Sequence, residues 1–165
     1  PLAEGPLGFP DEVLHHEAEL VLLIGSEVPS GSAPTLAAVA AAGLGIDLTR
    51  RLVQASLKAQ GLPWTTAKSF AGSAVVTRFV PLAADQDLRN VRFSLTVNGQ
   101  VRQDGTTAAM IFPVPTILQF LVSLTPLIPG DLIFTGTPAG VGPVRRGDRL
   151  RLLSLDLGID ETGTL

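Results

Sequence analysis

From Glu19 to Gly25 the chain reads ELVLLIG, a continuous apolar run of strand length. A run of this length without alternation predicts a strand buried on both faces. Glu27 to Pro34 is rich in turn formers, and Thr35 to Gly43 (TLAAVAAAG) then predicts an alanine-rich helix with a threonine start and a glycine stop. Leu44 to Asp47 reads as a short strand. Thr49 is placed to cap a helix running to about Gln60, where Gly61-Leu62-Pro63 ends it. Ala74 to Val80 predicts another strand. Val91, Phe93, Leu95 and Val97 alternate with Arg92, Ser94 and Thr96, the period-2 pattern of a strand with one buried face. Asn98-Gly99 then signals a hairpin, with Gln100 to Gln103 returning antiparallel. Pro129-Gly130-Asp131 turns into Leu132 to Thr135, and a glycine-rich loop and Arg149 to Ser154 follow.

One segment imitates a membrane span. No charged side chain occurs from Thr106 to Gly130, but Pro113, Pro115, Pro126 and Pro129 leave only Thr116 to Thr125 between them. That is about ten residues against the roughly twenty a spanning helix needs, so a buried helix is predicted. There is no internal repeat and no low-complexity linker. The pattern gives one mixed domain over residues 1–165, α+β in class, mostly β with two or three helices.

Composition narrows the chemistry. Of 165 residues, 45% are hydrophobic and only 16% charged, which argues against disorder. Such thin polar cover also points to surface buried against another subunit. A net charge of -3 offers no basic footprint for nucleic acid. Without cysteine there are no disulfides, thiolate nucleophiles or Cys-ligated zinc. A cytoplasmic protein is expected, and no signal peptide, since no basic stretch precedes an apolar one.

The residues that could carry chemistry are few. Glu17 and Glu19 are two apart at the start of an apolar strand, so their carboxylates share a face and repel unless a cation or proton intervenes. Oxygen ligands of this kind suit Mg²⁺ or Mn²⁺; the alternative is a solvated strand end. His15 and His16 are adjacent, point to opposite faces, and cannot both reach one ion. Packing or hydrogen bonding beside the site is their expected role. Lys68 is one of only two lysines among twelve basic residues and lies between aromatics and small residues. It is either partly buried beside an anionic partner or a snorkelling surface lysine. Gly136-Thr137-Pro138-Ala139-Gly140-Val141-Gly142 has neither P-loop nor dinucleotide-fingerprint spacing.

Taken in order, these segments resemble the fumarylacetoacetate hydrolase family. His16-Glu17-Ala18-Glu19-Leu20 is similar to its metal-binding Glu-x-Glu strand, and Asp47-Leu48-Thr49-Arg50-Arg51 to its Asp-x-Thr-x-Arg segment. Trp64 to Phe70 resembles its Trp-Thr-x-Ala-Lys-x-Phe stretch. Val97-Asn98-Gly99, Arg102-Gln103-Asp104-Gly105, Met110-Ile111-Phe112, Pro129-Gly130-Asp131 and Thr135 to Pro143 complete the set, over roughly Leu14 to Leu153. The resemblance implies a mainly β mixed-sheet roll with a few short helices, assembled as a homodimer. It implies Glu17, Glu19 and Asp47 as ligands of Mg²⁺ or Mn²⁺, and Lys68 as a catalytic group facing substrate. Arg51, Gln54 and Thr137 are implied to join Lys68 in binding a small anionic 2-oxo acid.

The implied reaction is C–C hydrolysis of acylpyruvates or decarboxylation of oxaloacetate. Isomerisation or decarboxylation in aromatic catabolism, or a catalytically silent metal-binding protein, are the alternatives. Two departures stand out. Leu52 occupies the position after Arg51 where the family usually has an aspartate. Only sixteen residues precede Glu17, where acylpyruvase-like relatives carry a histidine–glutamate pair on a lid helix, so that lid is expected to be absent from this numbering.

Overall fold

A computed structural model describes residues 12–34, 36–83 and 86–165. The strands are β1 (Leu14–His16), β2 (Ala18–Ile24), β3 (Val39–Asp47), β4 (Ala74–Val76), β5 (Val80–Pro81), β6 (Arg92–Val97), β7 (Gln100–Thr106), β8 (Leu132–Phe134), β9 (Gly142–Val144), β10 (Arg149–Ser154) and β11 (Ile159–Thr164). The helices are α1 (Arg51–Ala59), α2 (Thr65–Lys68) and α3 (Val114–Leu124). The strands form three sheets. One runs β4-β3-β2-β8 with β5 also on β3, a second β11-β10-β6-β7, and β1 pairs with β9.

Strand alternation explains how the two large sheets share one core while a polar site sits behind it. In β2, Ala18, Leu20, Leu22 and Ile24 face one way and lie opposite Ile46, Leu44, Ala42 and Val39 of β3. These residues join Phe93, Leu95, Val97, Leu150, Leu152 and Ile159 of the second sheet in a single buried cluster. Each fully buried leucine or isoleucine contributes on the order of 1.5–3 kcal/mol, so this interface dominates the stability of the roll. The other face of β2 carries Glu19 and Val21, with Gly45 and Phe134 directly opposite them on β3 and β8. The expected two-sided burial of the ELVLLIG run is therefore observed, with a different lining on each side.

The helix expected over Thr35–Gly43 is not formed. Thr35 lies outside the described residues; Leu36–Ala38 makes one 3₁₀ turn and Val39 opens the nine-residue β3. Tertiary context overrides alanine's helix propensity here. β3 is an interior strand with partners on both sides, and on the face it shares with Glu19 its neighbours crowd Gly43 and Gly45. A Cβ on Gly45 would come within 2.7 Å of both Phe134 and Val21.

Thr49 is not the cap of α1, whose N-cap position is Arg50. It instead exchanges backbone hydrogen bonds with His15, extending β3 past Asp47 onto β1. The predicted strand Ala74–Val80 divides into β4 and β5. The expected buried helix is amphipathic: Val114, Leu118 and Val122 are buried at four-residue spacing, whereas Phe120 and Leu124 are exposed. Asn98 and Gly99 both have positive φ (50° and 81°), the two-residue turn read from the sequence. No helix among the described residues is long and apolar enough to cross a membrane.

Candidate metal centre

Glu17 sits in the break between β1 and β2, where its carbonyl accepts a hydrogen bond from Asp47 N–H at 2.9 Å. The two residues are thus cross-strand neighbours, and Glu19 follows two positions along on the same face. One carboxylate oxygen from each of Glu17, Glu19 and Asp47 lies within 4.8 Å of the others. The three residues proposed as ligands converge at the site-facing end of β2 and β3.

Lys68 is the next residue brought in. α2 is a single turn at whose end the ammonium donates to Glu17 Oε2 at 2.5 Å, Asp47 Oδ2 at 2.7 Å and Thr49 Oγ1 at 2.8 Å. All three donors of the ammonium are therefore engaged. The snorkelling alternative does not hold. Arg51, at the start of α1, donates to Glu17 Oε1 at 2.5 Å and to Gln54 Oε1, one turn along, at 2.5 Å. Its Nε faces His15 Nδ1 at 3.4 Å. Leu52 is 79% exposed, and Arg51 is held through Glu17 and Gln54 without any group at position 52.

Charge balance differs across the three carboxylates. Burial pushes the Glu17 carboxyl up, but the hydrogen bonds from Lys68 and Arg51 outweigh it and hold it below its ordinary value. Burial raises Asp47 despite its bond from Lys68. Glu19, only 4% exposed, is pushed up to about 7, first by burial and then by the charges of Asp47 and Glu17, although Gly136 N–H donates to it at 2.6 Å. Lys68 is also desolvated, yet its bonds to Asp47 and Glu17 outweigh burial and raise it, so it stays an ammonium at neutral pH.

Three hard oxygen donors with too little positive charge nearby fit a divalent cation. An ion such as Mg²⁺ or Mn²⁺ completes its shell with water or ligand when the protein supplies only a few oxygens.

Thr137 lies in the loop after β8, where its hydroxyl donates to the Ala18 carbonyl at 2.9 Å and accepts from Gln103 Nε2 at 2.7 Å. His16 is buried and its Nδ1 bonds Gln103 Oε1 at 2.7 Å, the packing role expected of it. His15 and His16 are both held below their ordinary values by burial, His15 also by Arg51. Two buried polar residues have roles that the pattern did not reveal. Thr49, two residues beyond Asp47 in extended chain, accepts from the Lys68 ammonium and does not cap α1. Gln103, inside the Arg102-Gln103-Asp104-Gly105 segment, is bonded to His16, Ala18, Thr137 and Pro138. A cleft of about 860 Å³ shares Gly136 and Thr137 with the site, but none of the carboxylates, Lys68 or Arg51 lines it.

The Fumarylacetoacetate (FAA) hydrolase C-terminal family matches residues 4–163. The chain belongs to the fumarylacetoacetate hydrolase family. It is 44% identical over 139 residues to oxaloacetate tautomerase FAHD1, mitochondrial, of Bos taurus, an alignment covering 84% of this chain and 63% of that protein. It is 40% identical over 149 residues to oxaloacetate tautomerase YcgM of Escherichia coli, covering 88% and 68%. Among solved structures it is similar to fumarylpyruvate hydrolase from Pseudomonas aeruginosa in complex with Mn²⁺ and pyruvate. The TM-score is 0.85 at 33% identity, over 98% of this chain and 70% of that one. The chain spans less than two thirds of the bovine protein's length. That solved structure shares the mainly β fold seen here.

Proposed function

We propose that this chain carries the divalent-metal site of an enzyme that processes small 2-oxo acids through their enolates, with oxaloacetate as the first candidate. The observation that carries the reading is the convergence of Glu17, Glu19 and Asp47 within 4.8 Å, with Lys68 and Arg51 hydrogen-bonded to the same carboxylates. The relatives support it: their names include oxaloacetate tautomerase, oxaloacetate decarboxylase and fumarylpyruvate hydrolase. All three activities concern an enolisable 2-oxo acid.

A cation held by Glu17, Glu19 and Asp47 would supply Lewis acidity toward the carboxylate and keto oxygens of such a substrate. The chain's own residues do the rest. Lys68 and Arg51 offset the three carboxylates, so that an anionic substrate is not repelled. Arg51 has its guanidinium plane fixed by Glu17 and Gln54 and stays partly exposed, which suits it to a substrate carboxylate. Lys68, an ammonium held by Glu17 and Asp47, is placed to stabilise developing negative charge. Decarboxylation of oxaloacetate needs no activated water and leaves the enolate of pyruvate, whereas keto–enol interconversion passes through the enolate of oxaloacetate itself and needs a group that takes and returns the C3 proton. Hydrolysis of acylpyruvates also needs a base, worth typically 10²–10⁴-fold. Neither histidine is placed for that: His16 is buried against Gln103, and His15 faces Arg51.

We further propose a cytoplasmic homodimer. Exposed Ile111, Phe112, Phe120, Leu124 and Ile128 support the dimer, and the absence of cysteine accords with a reducing compartment.

The test is turnover of oxaloacetate, acetylpyruvate and fumarylpyruvate by purified protein with Mn²⁺, with and without chelator. Chelator-sensitive loss of oxaloacetate or its enol is expected, exceeding cleavage of the other two. Absence of metal-dependent turnover on all three would sink the reading.

A further inference from the structure

Register shifts by one residue between β6 and β7: Leu95 lies opposite Gln103, Thr96 opposite Val101, and Arg102 is bulged. The bulge turns Gln103 into the core side, where it is 1% exposed. Its amide has one orientation. Ala18 N–H can only donate and lies 3.0 Å from Oε1; the Pro138 carbonyl can only accept and lies 3.0 Å from Nε2. His16 Nδ1, 2.7 Å from Oε1, must therefore carry a proton, and Thr137 Oγ1 must accept from Nε2 at 2.7 Å. The Thr137 hydroxyl proton is in turn committed to the Ala18 carbonyl, which can only accept.

Two glycines make this contact possible. Gly140 has φ +98°, and a Cβ there would lie 2.1 Å from the Arg102 carbonyl oxygen; a Cβ on Gly105 would lie 2.7 Å from Pro138. The loop from Thr135 to Gly140 thus lies flat on the bulged strand, and the Gln103 amide ties it to the residues flanking Glu17 and Glu19.

We propose that Gln103 is a positioning residue. Its amide is the strut that sets the substrate-facing loop Thr135–Gly140 against the carboxylate strand, and it leaves the Thr137 hydroxyl able only to accept. An anionic ligand at this loop then finds no donor in the Thr137 hydroxyl, and Thr137 contributes its position. The substrate half of the inference rests on the 2-oxo acid reading above; the strut itself does not.

Gln103→Glu separates the two ends of the amide. At about pH 9, where the buried carboxyl is ionised, the retained oxygen still accepts from Ala18 N–H, whereas a second oxygen now opposes the Pro138 carbonyl. Hydrogen–deuterium exchange of the metal-free protein should show about tenfold faster exchange over residues 135–142, with β2 unchanged, as expected for loss of one buried hydrogen bond plus a repulsive contact. In the Mn²⁺-loaded protein, oxalate should bind about tenfold more weakly while Mn²⁺ affinity stays within about twofold. Thr137→Val breaks the same strut from the other end. Its effect on loop exchange should resemble that of Gln103→Glu, and the double variant should show less than the sum of the two. Unchanged loop exchange in Gln103→Glu, or additive effects in the double variant, would overturn the strut. A strut confirmed by exchange with unchanged oxalate affinity would overturn its role toward ligand. Wild-type protein that binds no oxalate at all would sink the 2-oxo acid reading and the ligand half with it, and leave the exchange result to decide the strut.

Discussion

Removing the Lys68 ammonium should weaken the fold, tighten metal binding and abolish turnover. In Lys68→Met the stem keeps its packing, but Glu17 and Asp47 lose charge-assisted hydrogen bonds of 2.5 and 2.7 Å. Breaking a buried ion pair costs about 3–5 kcal/mol. The Lys68 side chain is 28% exposed, so water recovers part of this and about 1–3 kcal/mol is the reasonable figure. At roughly 2–4 °C per kcal/mol for a chain of this size, the metal-free melting temperature should fall by roughly 2–12 °C.

Metal affinity should move the other way. Lys68 and a cation would sit beside the same two carboxylates, and repulsion between neighbouring unit charges is about 1 kcal/mol in water and about 4 kcal/mol at an effective dielectric near 20. Losing that repulsion should tighten Mn²⁺ binding by roughly tenfold or more, and Mn²⁺ should restore most of the lost melting temperature. Calorimetric titration and thermal melts with and without Mn²⁺ read both quantities. Weaker Mn²⁺ binding in Lys68→Met would show that the ammonium does not act as a counter-charge, and the electrostatic account would fail.

Glu19→Gln should weaken Mn²⁺ binding by about a hundredfold, since an anionic ligand becomes neutral in a site with few protein oxygens; calorimetry checks it, and unchanged affinity would remove Glu19 from the ligand set. Because Glu19 titrates near 7 without metal and must be ionised to ligate, Mn²⁺ binding should expel close to one proton at about pH 6 and almost none at about pH 8.5. The sign is fixed: a raised carboxyl binds its proton more tightly, so apparent affinity falls as pH falls below 7. Titrations in buffers of different ionisation enthalpy measure the proton count, and a pH-independent affinity would contradict it. Light scattering at micromolar concentration should give a dimer, with Phe120→Glu or Phe112→Glu shifting it toward monomer, given that both side chains are more than 60% exposed.

The site was more legible than the fold around it. Glu17, Glu19 and Lys68 were visible because charge is rare in so apolar a chain, and i+2 spacing places two of them on one face. Asp47, Arg51 and Gln54 entered through the family pattern, since neither periodicity nor spacing shows that β3 ends beside Glu17. The main error, a helix over Thr35–Gly43, came from reading alanine by propensity. The segment is a strand because β3 is paired along both edges, and its glycines are crowded by Phe134, Val21 and Phe79 on one face, facts of tertiary packing that local sequence does not carry. β11 went unread because Ile159-Asp160-Glu161-Thr162-Gly163-Thr164 is too polar for a strand pattern and is held by a single neighbour, β10. Gln103 was hidden for another reason. Its inward position depends on the bulge at Arg102, and bulges leave no periodic trace.

The central claim is that Glu17, Glu19 and Asp47 hold a divalent cation and that this cation, with Lys68 and Arg51, receives a 2-oxo acid. Calorimetric titration of oxalate into the purified protein, once with Mn²⁺ and once with chelator, tests it most directly. Saturable one-to-one binding with Mn²⁺, lost in chelator and in Glu17→Gln, is the result predicted; equal binding with and without metal, or none in either, would contradict it.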